Sequence, residues 1–211
     1  MPVRSAAFER FMASTDIDYE RWHDGVPYDL EALAEIEGDE RVEIERWLIG
    51  RANDDWRDLE GLLAIGTNRA RAAVVDQLRL GTLAQRLAAA RRLAPDPAIE
   101  PDRERAVIDG LRRAEWVTGL KNALDLAVSN PTPAIMDALF RAALRPSCAV
   151  HAAAALAFLH GHAKEAFDLD RRPFFLQLND DDPAVRIAAF RALCRECGVD
   201  PEPYLRATLA G

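Results

Sequence analysis

Two cysteines separated by two residues, Cys194 and Cys197, have the spacing of a zinc knuckle or of a redox pair. A structural zinc site needs two further ligands, and the sequence has no second pair of this kind. A redox pair is favoured at a helix N-terminus, where the dipole stabilises a thiolate, whereas this pair ends a predicted helix just before Gly198. We therefore predict buried structural cysteines. Together with Cys148 they form a small, odd set that favours a reducing compartment.

Three of the four histidines, His151, His160 and His162, lie in one stretch. His151 and His160 are nine residues apart, so they face different sides of a helix, and Gly161 is typical of a helix end. We predict no metal site and no cofactor. The sequence also contains no phosphate loop, nucleophile elbow or dinucleotide-binding fingerprint, which favours a protein that is not an enzyme.

Aromatic residues and acids are mixed near the N-terminus. We select Asp18, Tyr19, Trp22, His23, Asp24, Tyr28 and Asp29 as candidate partner-binding residues. Trp and Tyr supply large contact areas at low entropic cost, and acids attract basic partners. The same segment could instead cap a repeat array. It is also where an enzyme or ligand chaperone would place a cleft, since Trp22, His23, Asp24 and Asp29 are the one stretch of suitable composition.

The excess of acidic residues in this chain of 211 residues and 23.4 kDa is confined to its N-terminal part. Its formal charge is −8, but residues 1–60 carry 17 acidic against 7 basic side chains, a net of −10 that leaves +2 for the rest. The balance predicts a basic protein partner and argues against nucleic acid, which requires a basic face.

Apolar residues recur at helical spacing from about residue 40 onward, which predicts an all-α fold. We expect helices over about 41–51, 55–65, 68–80, 83–93, 102–115, 117–128, 133–144, 148–160, 172–179 and 183–197. Proline at a helix start, in Thr132-Pro133 and Asp182-Pro183, marks two of their N-termini.

Small residues repeat with a period near that of a helix pair. Aligning Ala89, Ala123, Ala154 and Ala189 gives steps of 34, 31 and 35 residues. In stacked helix pairs neighbouring backbones approach closely, so that alanine fits at the contact.

The run Asp181-Asp182-Pro183-Ala184-Val185-Arg186-Ile187-Ala188-Ala189-Phe190-Arg191-Ala192-Leu193 resembles the second helix of a HEAT repeat. The resemblance covers residues 55–198 loosely and implies an α-solenoid of four to five antiparallel helix pairs. It also implies a ladder role for Asp182 and Arg186, which pair between successive repeats in that family. The concave face of this solenoid would present Arg86, Lys121, His151 and Arg186 to a partner. The fold alone does not imply any catalytic activity.

These observations predict a non-repeat acidic cap over residues 1–40, HEAT-like repeats over 41–198 and a C-terminal cap helix or tail over 199–211. We expect a cytoplasmic, bacterial, non-enzymatic protein of the immunity or adaptor type that binds a basic protein. The first residues lack a signal-peptide core, and no apolar run is long enough to span a membrane. Two alternatives stay open: a HEAT-like enzyme or ligand chaperone resembling a lyase or DNA glycosylase, and a structural subunit of a larger assembly.

Overall fold

The computed structural model describes residues 4–16, 25–51, 55–113, 115 and 119–209, except for the side chains of residues 208 and 209. Within these residues the fold is all-α and contains no strand. The helices are α1 Ala6–Thr15, α2 Leu30–Glu35, α3 Gly38–Arg51, α4 Trp56–Ile65, α5 Asn68–Leu80, α6 Leu83–Arg92, α7 Glu100–Arg113, α8 Leu120–Ser129, α9 Pro133–Ala142, α10 Ala149–Leu159, α11 Arg172–Leu176, α12 Pro183–Glu196 and α13 Glu202–Leu209. Short 3₁₀ turns, Leu169–Arg171 and Gln177–Asn179, flank α11.

Side-chain caps define many helix starts. Thr82 caps α6 in a capping box with Gln85, and Thr132 and Asp182 cap α9 and α12 directly before a proline. These side chains satisfy N–H groups that the first turn of a helix leaves without partners. The two proline-marked N-termini predicted from the sequence are therefore confirmed.

The chain divides into two compact units. The first, Met1–Ile99, packs α1 on α2, α2 and α3 on α4, and then α4, α5 and α6 in succession. Its core includes Phe11, Leu33, Leu48 and Leu62, all nearly or fully buried. Residues Phe11 and Leu33 belong to the segment predicted as a non-repeat cap, so that segment contributes to this core.

The second unit, Glu100–Gly211, packs α7 against α8 and α9, and α9 against α10. Helix α10 is buried almost all round, and its run Ala152–Ala157 is almost wholly inaccessible to solvent. Alanine suits this position because a small side chain lets the neighbouring helices approach closely.

The all-α prediction is confirmed, and the ten predicted helices lie close to observed ones. Ala89, Ala123, Ala154 and Ala189, the four aligned alanines, are all buried. The succession of packed neighbouring helices is compatible with a helical-repeat fold. The sequence analysis did not predict α1 and α2, which precede the onset of regular helical spacing.

Candidate functional site

Most of the predicted N-terminal site falls outside the part of the chain that the structure describes. This applies to Asp18, Tyr19, Trp22, His23 and Asp24. Their predicted contact with a partner therefore stays a prediction.

Tyr28, the next of the predicted residues, is a core residue with 3% of its surface exposed. Its ring meets that of Phe11 edge to face, with centroids 5.7 Å apart. Its hydroxyl donates a 2.8 Å hydrogen bond to Oδ1 of Asp58. A buried Tyr keeps a partner for its hydroxyl, so this contact anchors the segment before α2 onto α4.

Asp29 is the N-cap of α2. Its Oδ1 accepts the N–H of Ala32 at 2.7 Å, and Arg10 lies 3.4 Å from Oδ2. The Ala32 N–H, aided by the charge of Arg10, holds the pKa of this carboxyl below its ordinary value. Asp29 therefore serves as a helix cap, and these contacts keep its carboxyl ionised.

A polar cluster that the sequence analysis did not identify lies against Tyr28. The guanidinium of Arg57 stacks 4.6 Å from the centre of the Tyr28 ring and pairs with Asp55, whose Oδ2 accepts from Nε at 2.8 Å. Only 3% of Arg57 and 1% of Asp58 is exposed. Nη1 of Arg57 and Oδ2 of Asp58 have no hydrogen-bond partner among the described residues.

Burial controls the chemistry of this cluster. Desolvation raises the pKa of Asp58, while the hydrogen bond from Tyr28 opposes that rise. The sequence did hold a signal for this placement, because Asp58 precedes Leu62 by four residues and so shares its buried helix face. The sequence analysis did not assess Asp58.

A group of six acids lies on α2, on α3 or between the two helices, and all of them except the half-buried Glu40 are exposed. We name Glu31, Glu35, Glu37, Asp39, Glu40 and Glu43 the acidic surface. Helix α1 and the residues before it engage three of them. Arg4 pairs with Glu43 at 2.7 Å, Ser5 donates to Glu40 through its N–H at 3.0 Å, and Arg10 pairs with Glu35 at 3.3 Å.

The other three acids of this surface, Glu31, Glu37 and Asp39, are exposed. No cationic side chain pairs with them within the described ranges. The carboxylates on this surface therefore exceed the arginines that neutralise them.

Four predicted partner-binding residues come from the repeat alignment, and they belong to different units. Arg86 lies half-buried on α6 of the first unit. In the second unit, Lys121 is exposed and pairs with Asp125 at 2.7 Å. His151 stacks on Phe167 with ring centroids 5.4 Å apart, and burial lowers its pKa.

Arg186, the fourth of these residues, makes local contacts. Its Nη1 donates to the main-chain oxygens of Asp180 and Asp181, at 2.7 and 3.1 Å. Asp182 accepts from the N–H of Ala184 on its own helix. The HEAT resemblance implies that Asp182 and Arg186 pair between successive repeats. In the structure the contacts of these two side chains stay within residues 180–186 instead.

The cysteines fit the structural role predicted for them. Cys148 and Cys194 are buried and Cys197 is partly buried. Burial raises the pKa of Cys194 to about 12 and that of Cys197 to about 11, which keeps both thiols protonated at neutral pH. Among the described residues no group of three or more His, Cys, Asp or Glu side chains is arranged to hold a metal ion.

A scan against protein-family models, a search of curated proteins and a search of solved structures each gave no match. Across the described residues, none of the helices combines the length and the apolar character needed to cross a bilayer.

Proposed function

We propose that this chain is a non-enzymatic helical protein that binds a basic protein partner through the acidic surface of its first unit. The observation that supports the proposal is the excess of exposed carboxylates there, with Glu31, Glu37 and Asp39 left without cationic partners in the described part of the chain. A partner carrying Lys and Arg side chains would neutralise them. Charge of one sign on a surface also accelerates the encounter with an oppositely charged protein.

The most concrete form of the proposal is a bacterial, cytoplasmic immunity or adaptor protein with HEAT-like repeats that occludes a basic effector, such as a nuclease toxin. The repeat spacing near 34 residues and the burial of the four aligned alanines support this architecture. The segment holding Trp22 would add aromatic contacts to that partner.

The test compares two triple variants of equal charge change. E31Q/E37Q/D39N removes the three exposed carboxylates of the acidic surface. D76N/E165Q/D181N removes three exposed carboxylates elsewhere and serves as the matched control. Both are first checked for native helix content, because acids in the first turn of a helix favour its dipole.

Each protein is used to capture partners from a host lysate, the retained polypeptide is identified, and the complex is rebuilt from purified components. We expect one stoichiometric basic partner whose association rate falls about tenfold in E31Q/E37Q/D39N and with rising salt, but not in the control. Recovery of no stoichiometric partner, binding that salt leaves unchanged, or an equal loss in the control would each contradict the proposal.

A further inference from the structure

The second unit carries a groove of about 370 Å³ beside α12 and α13. Its floor is aliphatic, formed by the buried side chains of Ala143, Leu178 and Leu205. Leu144 and Ile187, both partly exposed, extend this apolar surface along the walls. The volume is in the range of small-ligand sites, which are mostly apolar with a few polar groups that fix orientation.

The rim of the groove is cationic. Three arginines and one glutamate line it. Arg191 and Glu202 neutralise each other through a 2.9 Å ion pair. Arg206 donates through Nε to the main-chain oxygen of Glu202 at 3.3 Å, and its two terminal nitrogens have no partner among the residues that the structure describes.

Arg186, the third rim arginine, is held by main-chain oxygens rather than by a carboxylate. It stands beside the turn 180–182, whose three aspartates lower the local positive potential. Arg206 is therefore the stronger anchor for an anion, since its donors are exposed and uncommitted.

The shape of the groove limits what can occupy it. Pro183 and Arg191 are eight residues apart on α12, so the wall between them is about 12 Å long. Seven of the ten lining residues lie on α12 and α13, where most main-chain groups already form helical hydrogen bonds. An extended peptide would bring one N–H and one C=O per residue into a place that offers few main-chain partners, and desolvating them is costly. An aliphatic chain needs no such partners.

From these contacts we propose that the groove binds an aliphatic carboxylate, whose chain lies on the floor of Leu178, Leu205 and Ile187 and whose carboxylate pairs with Arg206. A guanidinium offers paired donors that match the two oxygens of a carboxylate. This site is distinct from the acidic surface and takes a ligand of opposite charge.

Titration of the full chain with decanoate, kept below its micelle concentration and followed by NMR chemical shifts, tests the proposal. We expect saturable binding with shifts at Ile187 and Leu205. R206Q should weaken it about tenfold or more, because one charged hydrogen-bond pair is lost. R186Q should weaken it less, and I187E should weaken it by placing a negative charge on the wall.

R195Q is the matched control, because Arg195 is, like Arg206, an exposed arginine of the second unit, but it lies on α12 outside the groove lining. It should leave decanoate binding within about twofold of wild type, and decylammonium should not bind. Unsaturable binding, equal effects of R206Q and R195Q, or equal affinity for decylammonium would overturn the proposal. So would tighter binding of an acidic aliphatic peptide at the same residues, which would assign the groove to a peptide.

Discussion

At the scale of single residues, the buried carboxyl of Asp58 is an acid whose surroundings disfavour its charged form. Tyr28 donates to one of its oxygens, and the other has no partner among the described residues. Burial raises its pKa above the ordinary value of 3.8, because desolvation penalises the charged form. The protonated form is thus favoured more in the folded chain than in the unfolded chain.

This raised pKa determines the sign of a pH effect. As pH rises above about 3.8, the unfolded chain releases the Asp58 proton first, so the folded state loses stability until its own carboxyl ionises. We expect D58N to abolish this loss. The unfolding free energy of D58N minus that of wild type should therefore increase with pH between about 3.5 and 7, measured by urea denaturation at fixed salt.

E31Q provides the control, since Glu31 is exposed. Its difference from wild type should change less with pH than that of D58N, because Glu31 is not buried. A D58N curve parallel to that of wild type would show that Asp58 titrates at the same pH in both states.

Whether Tyr28 is exposed or buried could not be predicted from the sequence. Composition grouped it with neighbouring acids as a binding residue, and nothing local separates an exposed Tyr from one that packs in a core. Its partner Asp58 is 30 residues away, and the contact depends on how α4 packs. Glu37 and Asp39 lie near the start of α3 and are exposed, whereas Asp58 in the first turn of α4 is buried, so position at a helix start does not by itself decide exposure.

At the scale of elements, helix-capping residues and helix breakers made the helix boundaries predictable from the sequence. Asn68–Leu80 and Pro183–Glu196 lie within one residue of their predicted bounds, because Thr67, Gly81 and Asp182-Pro183 mark their ends. Helix α2 has only six residues and too few turns to show a period. Its position depends instead on the Asp29 cap and on packing against α1 and α4.

Gly81 offers a test of element packing at the turn between α5 and α6. Its φ of −68° suits any residue, so space rather than backbone freedom explains the glycine. An added Cβ would lie 2.6 Å from the main-chain oxygen of Gln77 and 2.9 Å from Cβ of Gln85. We expect G81A to lower the unfolding free energy by about 1–3 kcal/mol, measured by urea denaturation, because the turn must shift to relieve the clash.

Gly50 is the matched control within α3, where an added Cβ meets no atom within 4 Å. G50A should be neutral or stabilise the protein by up to about 1 kcal/mol, because alanine is the better helix former. If the two variants had equal stability, the tight approach at Gly81 would not be the reason for that glycine.

At the scale of the whole molecule, counting charged residues shows where the negative charge lies along the chain, but not which carboxylates are neutralised. The net charge of −10 over residues 1–60 follows from the sequence alone. That Arg4 and Arg10 neutralise part of the acidic surface depends on contacts 39 and 25 residues apart in the chain. The groove likewise combines α12 and α13 with residues near 143 and 178, and no local pattern predicts it.

Histidines provide a pH response of the opposite sign to that of Asp58. Burial lowers the pKa of both His151 and His160 below the ordinary 6.5. As pH falls through 6.5 the unfolded chain binds these protons first, so the folded protein loses stability on acidification.

We expect wild-type unfolding free energy to fall between about pH 7.5 and 5, and to fall less steeply in H151Q/H160Q. H162Q should change the slope less than H151Q/H160Q, because His162 is exposed and acts on His160 only through its charge. The unfolding free energies are measured by urea denaturation at fixed salt. Equal slopes in wild type and H151Q/H160Q would show instead that other groups govern this pH range.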